Sequence, residues 1–130
     1  MKIKVLLVMP DKEIQTVKIP ASIKFIKAFI GEKLEKINLS EDIVLIANKD
    51  AKLEEVNRIV DDKIVFGTFL ITSIKKNRIT SMKKRDIRKY TNIFKLKKHQ
   101  KKINRYRDEC LEEYYSYQRK IKERNAKKVA

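Results

Sequence analysis

Residues that commonly build enzyme sites are scarce in this chain. Its 130 residues include one histidine, His99, and one cysteine, Cys110, with two glycines, two prolines and no tryptophan. One cysteine excludes an internal disulfide, and no glycine-rich phosphate loop is present. We therefore predict that the protein is not an enzyme and has no catalytic residues and no cofactor.

The few candidate ligands and nucleophiles are badly spaced. On one helix, His99 and Cys110 would lie about 16 Å apart, too far for a hydrogen bond. Zinc usually takes four ligands and these two residues supply half, so we predict no metal. Asp61 and Asp62 could hold magnesium with a third carboxylate, but no ligand spacing supports this, and a solvated turn is the preferred interpretation.

Long apolar runs are also lacking. No stretch approaches the roughly 20 apolar residues of a membrane span. The apolar start of the chain is short, is interrupted by Lys2 and Lys4, and has no cleavage site of a signal peptide. We expect a cytoplasmic protein without a membrane partner.

Acidic residues are few compared with basic ones, and the imbalance is concentrated. The chain has 33 Lys and Arg against 17 Asp and Glu, a formal charge of +16. Residues 83–130 hold 18 basic and 6 acidic residues, whereas residues 1–82 hold 15 and 11. Such a surplus favours a polyanionic partner. The alternative is that it serves solubility in a lysine-rich proteome.

Glycine and proline occur only in the first part of the chain, which predicts two regions. Residues 1–80 should form a compact domain and residues 81–130 a basic helical extension. Strand-like apolar runs and one amphipathic helix predict an α+β domain, with a small mixed or antiparallel sheet of four to five strands and one packed helix. Pro20 is expected in the first turn of that helix and Gly31 at its end.

The final apolar run of the domain, residues 64–71, is predicted to be a single central strand. Gly67 within it predicts a bulge or a close approach by another group. Ser81 is then expected to cap a short helix over about 82–90. A long helix over about 96–125 follows, whose apolar-leaning residues share one face, namely Leu96, His99, Ile103, Tyr106, Cys110, Tyr114, Tyr117 and Ile121.

Several segments between Ile30 and Tyr90 resemble a known family. They are Gly31, Leu34-Glu35, Val44 to Leu53, Asn57-Arg58, Ile64 to Ile71 and Ser81-Met82. The family is catalogued as the domain of unknown function numbered three-eight-four-six and is encoded by phages and integrative elements. The resemblance implies a small α/β domain of mobile-element origin and supplies no activity. The chain departs from the family pattern at Glu32 and Ala51, where glycine is frequent, and in its basic residues after Ser81.

The basic extension is the strongest functional signal. Its candidate nucleic-acid-binding residues are Lys83, Lys84, Arg85, Arg88, Lys89, Lys95, Lys97, Lys98, Lys101, Lys102 and Arg105. Side chains of this kind on a helix can follow phosphates. Aromatic residues lie among them and could stack on bases or form an interface, namely Tyr90, Phe94, Tyr106, Tyr114 and Tyr117. No sequence-reading motif is present, so binding should be electrostatic and largely independent of base sequence.

Arg58 follows Asn57 in an otherwise acidic stretch. The preferred interpretation is an ion pair with a nearby acid, from Glu54, Glu55, Asp61 and Asp62. The alternative is that its planar guanidinium contacts an anion such as a phosphate.

Three hypotheses of function follow. The first is a phage or mobile-element accessory protein that binds nucleic acid or a nucleoprotein through its tail, as an anti-defence inhibitor of the anti-CRISPR or anti-restriction type. The second is a protein-interaction module whose long helix forms a homodimer or docks in a groove of a partner. The third, ranked last, is an amphipathic helix on a membrane surface.

Overall fold

Within the part of the chain that the structure describes, short apolar strands occur together with helices. The computed structural model describes residues 1–51, 55–60 and 63–129, with side chains as far as residue 124. The strands are β1 (Lys2–Val8), β2 (Gln15–Pro20), β3 (Leu34–Asn38), β4 (Ile43–Asn48), β5 (Val56–Val60), β6 (Lys63–Phe66), β7 (Phe69–Lys75) and β8 (Arg78–Thr80). The helices are α1 (Ile23–Ile30), α2 (Lys84–Ile93) and α3 (Leu96–Val129).

Six strands form one antiparallel sheet, in the order β2-β1-β7-β4-β3, and β8 pairs with the end of β7. The end of the predicted central strand belongs to β7, which does lie at the centre of the sheet. Ile71 of β7 pairs with Leu6 on one side and Leu45 on the other. β5 and β6 form a separate antiparallel hairpin. The predicted α+β class is confirmed, and the sheet has more strands than the four to five predicted.

Both faces of the sheet are covered, so its inner strands are apolar without alternation. Successive residues of a strand point to opposite faces. Leu45 of β4 faces a core that also contains Tyr90 of α2 and Val65 of β6. Its neighbour Val44 faces a second core that contains Ile26 of α1. α1 therefore packs on one face of the sheet, and α2 with the β5–β6 hairpin packs on the other.

The bounds of α1 differ from the prediction at one end. The hydroxyl of Ser22 accepts a hydrogen bond from the backbone N–H of Phe25 at 3.3 Å, so Ser22 is the N-cap and the helix begins at Ile23. Pro20 is the last residue of β2, an edge strand, where a missing N–H is tolerated. Gly31 ends the helix as predicted.

The prediction of one strand over residues 64–71 is wrong. Gly67 has a φ of 70°, a conformation that favours glycine, and its N–H donates to the carbonyl of Glu55 at 2.8 Å. The chain turns there and passes from the hairpin to the sheet. Gly67 thus separates β6 from β7 instead of making a bulge within a single strand.

The core continues past the domain boundary predicted at residue 80. Met82, Tyr90 and Phe94 are all buried in the core on the α2 face of the sheet. Ser81 does not cap α2. Its hydroxyl accepts from the N–H of Lys4 at 2.9 Å, and Lys83 is the N-cap residue. α2 is therefore part of the folded domain.

Candidate nucleic-acid interface

The α2–α3 junction is fixed to the domain by a buried arginine. Arg58 on β5 is 0% exposed. Its Nε donates to the carbonyl of Phe94 at 2.9 Å, at the C-terminal end of α2, and its Nη2 donates to the carbonyl of Lys12 at 2.9 Å. Its Nη1 donates to the side-chain oxygen of Asn57 at 2.9 Å. One side chain thus connects the hairpin, the β1–β2 turn and the basic helices.

Asn57 extends this network on the other side. Its Nδ2 donates to the carbonyls of Val8 at 2.8 Å and Gly67 at 2.7 Å. Burial lowers the pKa of Arg58 below its ordinary value, and the carboxylates of Glu13 and Asp11 partly oppose this shift. Because backbone carbonyls satisfy the guanidinium, its charge is tolerated inside the protein.

The burial of Arg58 bears on the alternative prediction, in which its guanidinium contacts an anion. The guanidinium is inaccessible, so it cannot reach an external anion in this conformation. Its described hydrogen bonds go to carbonyl oxygens of the backbone and of the Asn57 side chain. Glu54, Asp61 and Asp62, three of the acids expected to pair with it, lie outside the described residues, so the ion pair stays a prediction.

Aromatic residues anchor α2 and the start of α3. The ring of Phe94 is 3% exposed and lies edge-on to Phe69 of β7, with ring centroids 6.1 Å apart. Tyr90 and His99 stack on the same Phe94 ring, at 6.5 and 5.8 Å. This cluster joins the last turn of α2 and the first turn of α3 to the sheet.

The next turns of α3 rest on the hairpin. Ile103 is 0% exposed, and α3 packs against β5. Tyr106 lies edge-on to Phe66, with ring centroids 6.5 Å apart. Arg107 then forms an ion pair with Asp11 at 3.1 Å. From residue 108 to residue 124 no side chain is buried, so α3 leaves the domain after Arg107.

All eleven predicted cationic residues point into solvent. The basic surface, as we name this set, comprises Lys83, Lys84, Arg85, Arg88, Lys89, Lys95, Lys97, Lys98, Lys101, Lys102 and Arg105, and every member is exposed. Among the described residues, Arg85 alone in the set has a carboxylate within 4 Å, that of Asp86 at 3.9 Å. The charges are therefore available to a partner.

The basic surface includes residues of both helices. Lys98, Lys101, Lys102 and Arg105 recur at helical spacing and share the face of α3 opposite the buried Ile103. The members on α2 lie beside an open depression that also includes Thr16 of β2, lined by Lys84, Arg85, Arg88, Lys89 and Lys95. Two helices that meet at the buried Phe94 thus both carry exposed cations.

The basic surface has a sharp end. Residues 83–107 contain twelve basic residues and one acidic residue, Asp86. Residues 108–118 contain four acidic residues and no basic one. Over residues 83–118 a cationic region is thus followed by an acidic one, and the net charge of the whole tail does not show this division.

The predicted stacking residues separate into three groups. Tyr90 and Phe94 are buried in the core, so they cannot stack on bases in this conformation. Tyr106 is half-buried against Phe66. Tyr114 and Tyr117 are exposed, at 56% and 62%, and lie beyond the basic surface. Helical spacing could not separate these groups, because it does not show where the domain stops covering the helix.

The single histidine and the single cysteine lie on different turns of α3. His99 is half-buried, and its Nε2 lies 3.0 Å from the carbonyl of Ile93, whereas Cys110 is exposed further along α3. No group of three His, Cys, Asp or Glu side chains in the described ranges could hold a metal ion. Asp61 and Asp62 lie outside those ranges. No described helix is long and apolar enough to cross a membrane.

Comparison with known proteins identifies a family for the domain. The family model described as "Domain of unknown function (DUF3846)" matches residues 1–95, the same family that the residue pattern resembles. The match ends one residue before α3 begins. No curated protein and no solved structure matches the chain.

Proposed function

The chain belongs to the DUF3846 family, and we propose that it is a non-enzymatic protein that binds nucleic acid or a nucleoprotein through the basic surface. The observation that carries this proposal is the exposure of all eleven cations on two helices that the core holds in place. Each Lys or Arg that meets a phosphate releases condensed counterions, which provides affinity without reading sequence. The phosphate backbone is therefore the expected ligand.

The fixed junction supports binding because it reduces the ordering that binding requires. Phe94 is buried, and its carbonyl accepts from Arg58, so α2 and the start of α3 keep one relative orientation. A cationic array that is already placed loses less conformational entropy when it meets a polyanion. An anti-defence role in a phage or mobile element is a narrower form of this proposal, in which the polyanion belongs to a host nuclease complex.

The test compares two variants of equal charge. The first changes Lys98, Lys101, Lys102 and Arg105 of the basic surface to Gln. The control changes Lys18, Lys24, Lys27 and Lys36, exposed lysines of β2, α1 and β3, to Gln. Gln has nearly the helix propensity of Lys, so α3 should keep its structure. Binding to labelled single- and double-stranded DNA and RNA is measured by fluorescence anisotropy at physiological salt.

We expect the wild type and the control to bind, and the basic-surface variant to bind about a hundredfold more weakly, since four phosphate contacts are lost. Equal affinity of the two variants would show that only net charge matters and that the basic surface is not the site. Failure of the wild type to bind any of the four nucleic acids would overturn the proposal for direct binding.

A further inference from the structure

The end of α3 exposes an apolar seam that the domain does not cover. The projecting half of α3, residues 108–124, has no buried side chain. Cys110 is exposed, and Tyr114 and Tyr117 are 56% and 62% exposed. Large apolar side chains clustered on one exposed helix are typical of an interaction surface.

The spacing of this seam is that of a helix packed on another helix. Cys110, Tyr114, Tyr117 and Ile121 follow one another at steps of four, three and four residues. Steps of this kind keep side chains on one line of contact between paired helices. The same face is buried against the domain at Ile103, so the seam continues beyond Arg107 where the domain has ended.

Charge along the projecting half is divided between its two ends. Residues 108–113 contain four acidic residues and no basic one, whereas residues 119–124 contain four basic residues and one acidic residue. Tyr114 and Tyr117 lie between the two blocks. A second helix of the same sequence is complementary to this one only when it runs in the opposite direction.

We propose that the projecting half of α3 pairs antiparallel with the same segment of a second copy of this chain. In this register Tyr114 faces Tyr117 of the second copy, and Cys110 faces Ile121 of the second copy. Glu113 flanks the seam opposite Lys120 of the second copy, and two-fold symmetry gives each contact twice. Charged residues beside such a seam set the orientation of paired helices.

A parallel pair fails on the same charges. It would place the acidic block of each helix beside its own copy, and the basic block likewise, and like charges at these positions are repulsive. In the antiparallel pair, the contacts with the second copy are made by Cys110, Tyr114, Tyr117 and Ile121. The contact of α3 with its own domain is made by Ile103, so the two contacts do not involve the same residues. The inference is independent of the proposed function, because the basic surface ends at Arg105.

Disulfide trapping tests the pairing and its direction. In the antiparallel register, Ile121→Cys places a thiol opposite Cys110 of the second copy, and air oxidation should yield a covalent dimer on a non-reducing gel. The wild type should remain uncrosslinked, because its two Cys110 side chains lie at opposite ends of the overlap. The double variant Cys110→Ser with Ile121→Cys is the matched control and should also remain uncrosslinked.

Each other outcome counts against the proposal. Crosslinking of the wild type and of the double variant would show a parallel pair. If Ile121→Cys does not crosslink, and sedimentation equilibrium at about 1 mM chain finds a monomer, the projecting halves do not pair.

A charge reversal tests the register. Glu113→Lys should weaken the dimer, and combining it with Lys120→Glu should restore it. Failure of that restoration would overturn the register.

Discussion

At the scale of single residues, Arg58 shows how a charged side chain can organise a core. Its guanidinium is buried and donates to carbonyls that belong to three separate parts of the chain. The sequence could not reveal this role, because Arg58 and Asn57 interrupt an otherwise apolar strand, β5, and their partners are distant in sequence. Sequence patterns describe residues that are close along the chain, whereas these hydrogen bonds join residues that are distant in sequence.

Replacing Arg58 with Met should destabilise the protein. The change leaves buried carbonyl groups without donors, and we expect the free energy of unfolding to fall by about 3 kcal/mol, measured by urea denaturation. Arg78→Met, on the exposed part of β8, is the control and should change it by no more than about 0.5 kcal/mol. Equal effects of the two substitutions would contradict the role given to the buried network.

His99 provides a pH-dependent test of how α3 docks. Burial lowers the pKa of His99 below its ordinary value of 6.5, and Arg58, Lys102 and Lys98 lower it further, although the Ile93 carbonyl opposes them. The folded state therefore favours neutral His99. Its contribution to stability is complete above the unfolded pKa and declines as pH falls below it, because the unfolded chain then binds more protons.

We expect the free energy of unfolding to fall between about pH 7.5 and pH 5.5 in the wild type, and to fall less in His99→Gln. The chain contains one histidine, so the difference between the two proteins reports on this residue. Urea denaturation at each pH provides the measurement. A wild-type curve no steeper than that of the variant would show that His99 is not held neutral.

At the scale of elements, α3 is one helix with two different environments. Its first three turns pack on β5, and its projecting half has no buried side chain. A chain that ends after Arg107 should therefore keep its free energy of unfolding within about 1 kcal/mol and should still bind nucleic acid. It should lose the ability to dimerise. Unfolding of this shortened chain would show that the projecting half supports the domain.

Much of the element order could be predicted, and the exceptions have physical reasons. β1 and β4 are continuous apolar runs and α1 has apolar residues at helical spacing, and both features are local properties of the sequence. β5 could not be predicted in the same way, because Asn57 and Arg58 are polar and their hydrogen-bond partners are distant in sequence. The division at Gly67 depends on a backbone turn with positive φ that composition alone does not distinguish from a bulge.

The candidate site could be predicted in part for a similar reason. Exposure of the eleven cations follows from the high cost of burying Lys and Arg without partners, so their identity was readable from sequence. Whether each aromatic side chain is buried or exposed depends on which part of the helices packs against the sheet. Phe94 is buried against Phe69, whereas Tyr117 is 62% exposed, and this difference depends on where the domain ends.

At the scale of the whole molecule, the family domain and the charge occupy adjoining parts of the chain. The family match ends at residue 95, and the basic surface extends from α2 onto α3, across that end. The domain carries the α2 part of the basic surface, and the first turns of α3 carry the rest. Antiparallel pairing through the projecting half would place two such faces at opposite ends of a dimer.

The most direct test of the proposed function is the dependence of binding on salt. The logarithm of the association constant for duplex DNA is plotted against the logarithm of salt concentration for the wild type, the basic-surface variant and the matched-charge control. We expect a steep negative slope for the wild type and the control, reduced by about three to four in the basic-surface variant, since each phosphate contact contributes about 0.9. Binding that does not depend on salt, or one slope shared by all three proteins, would contradict a phosphate-binding role for this surface.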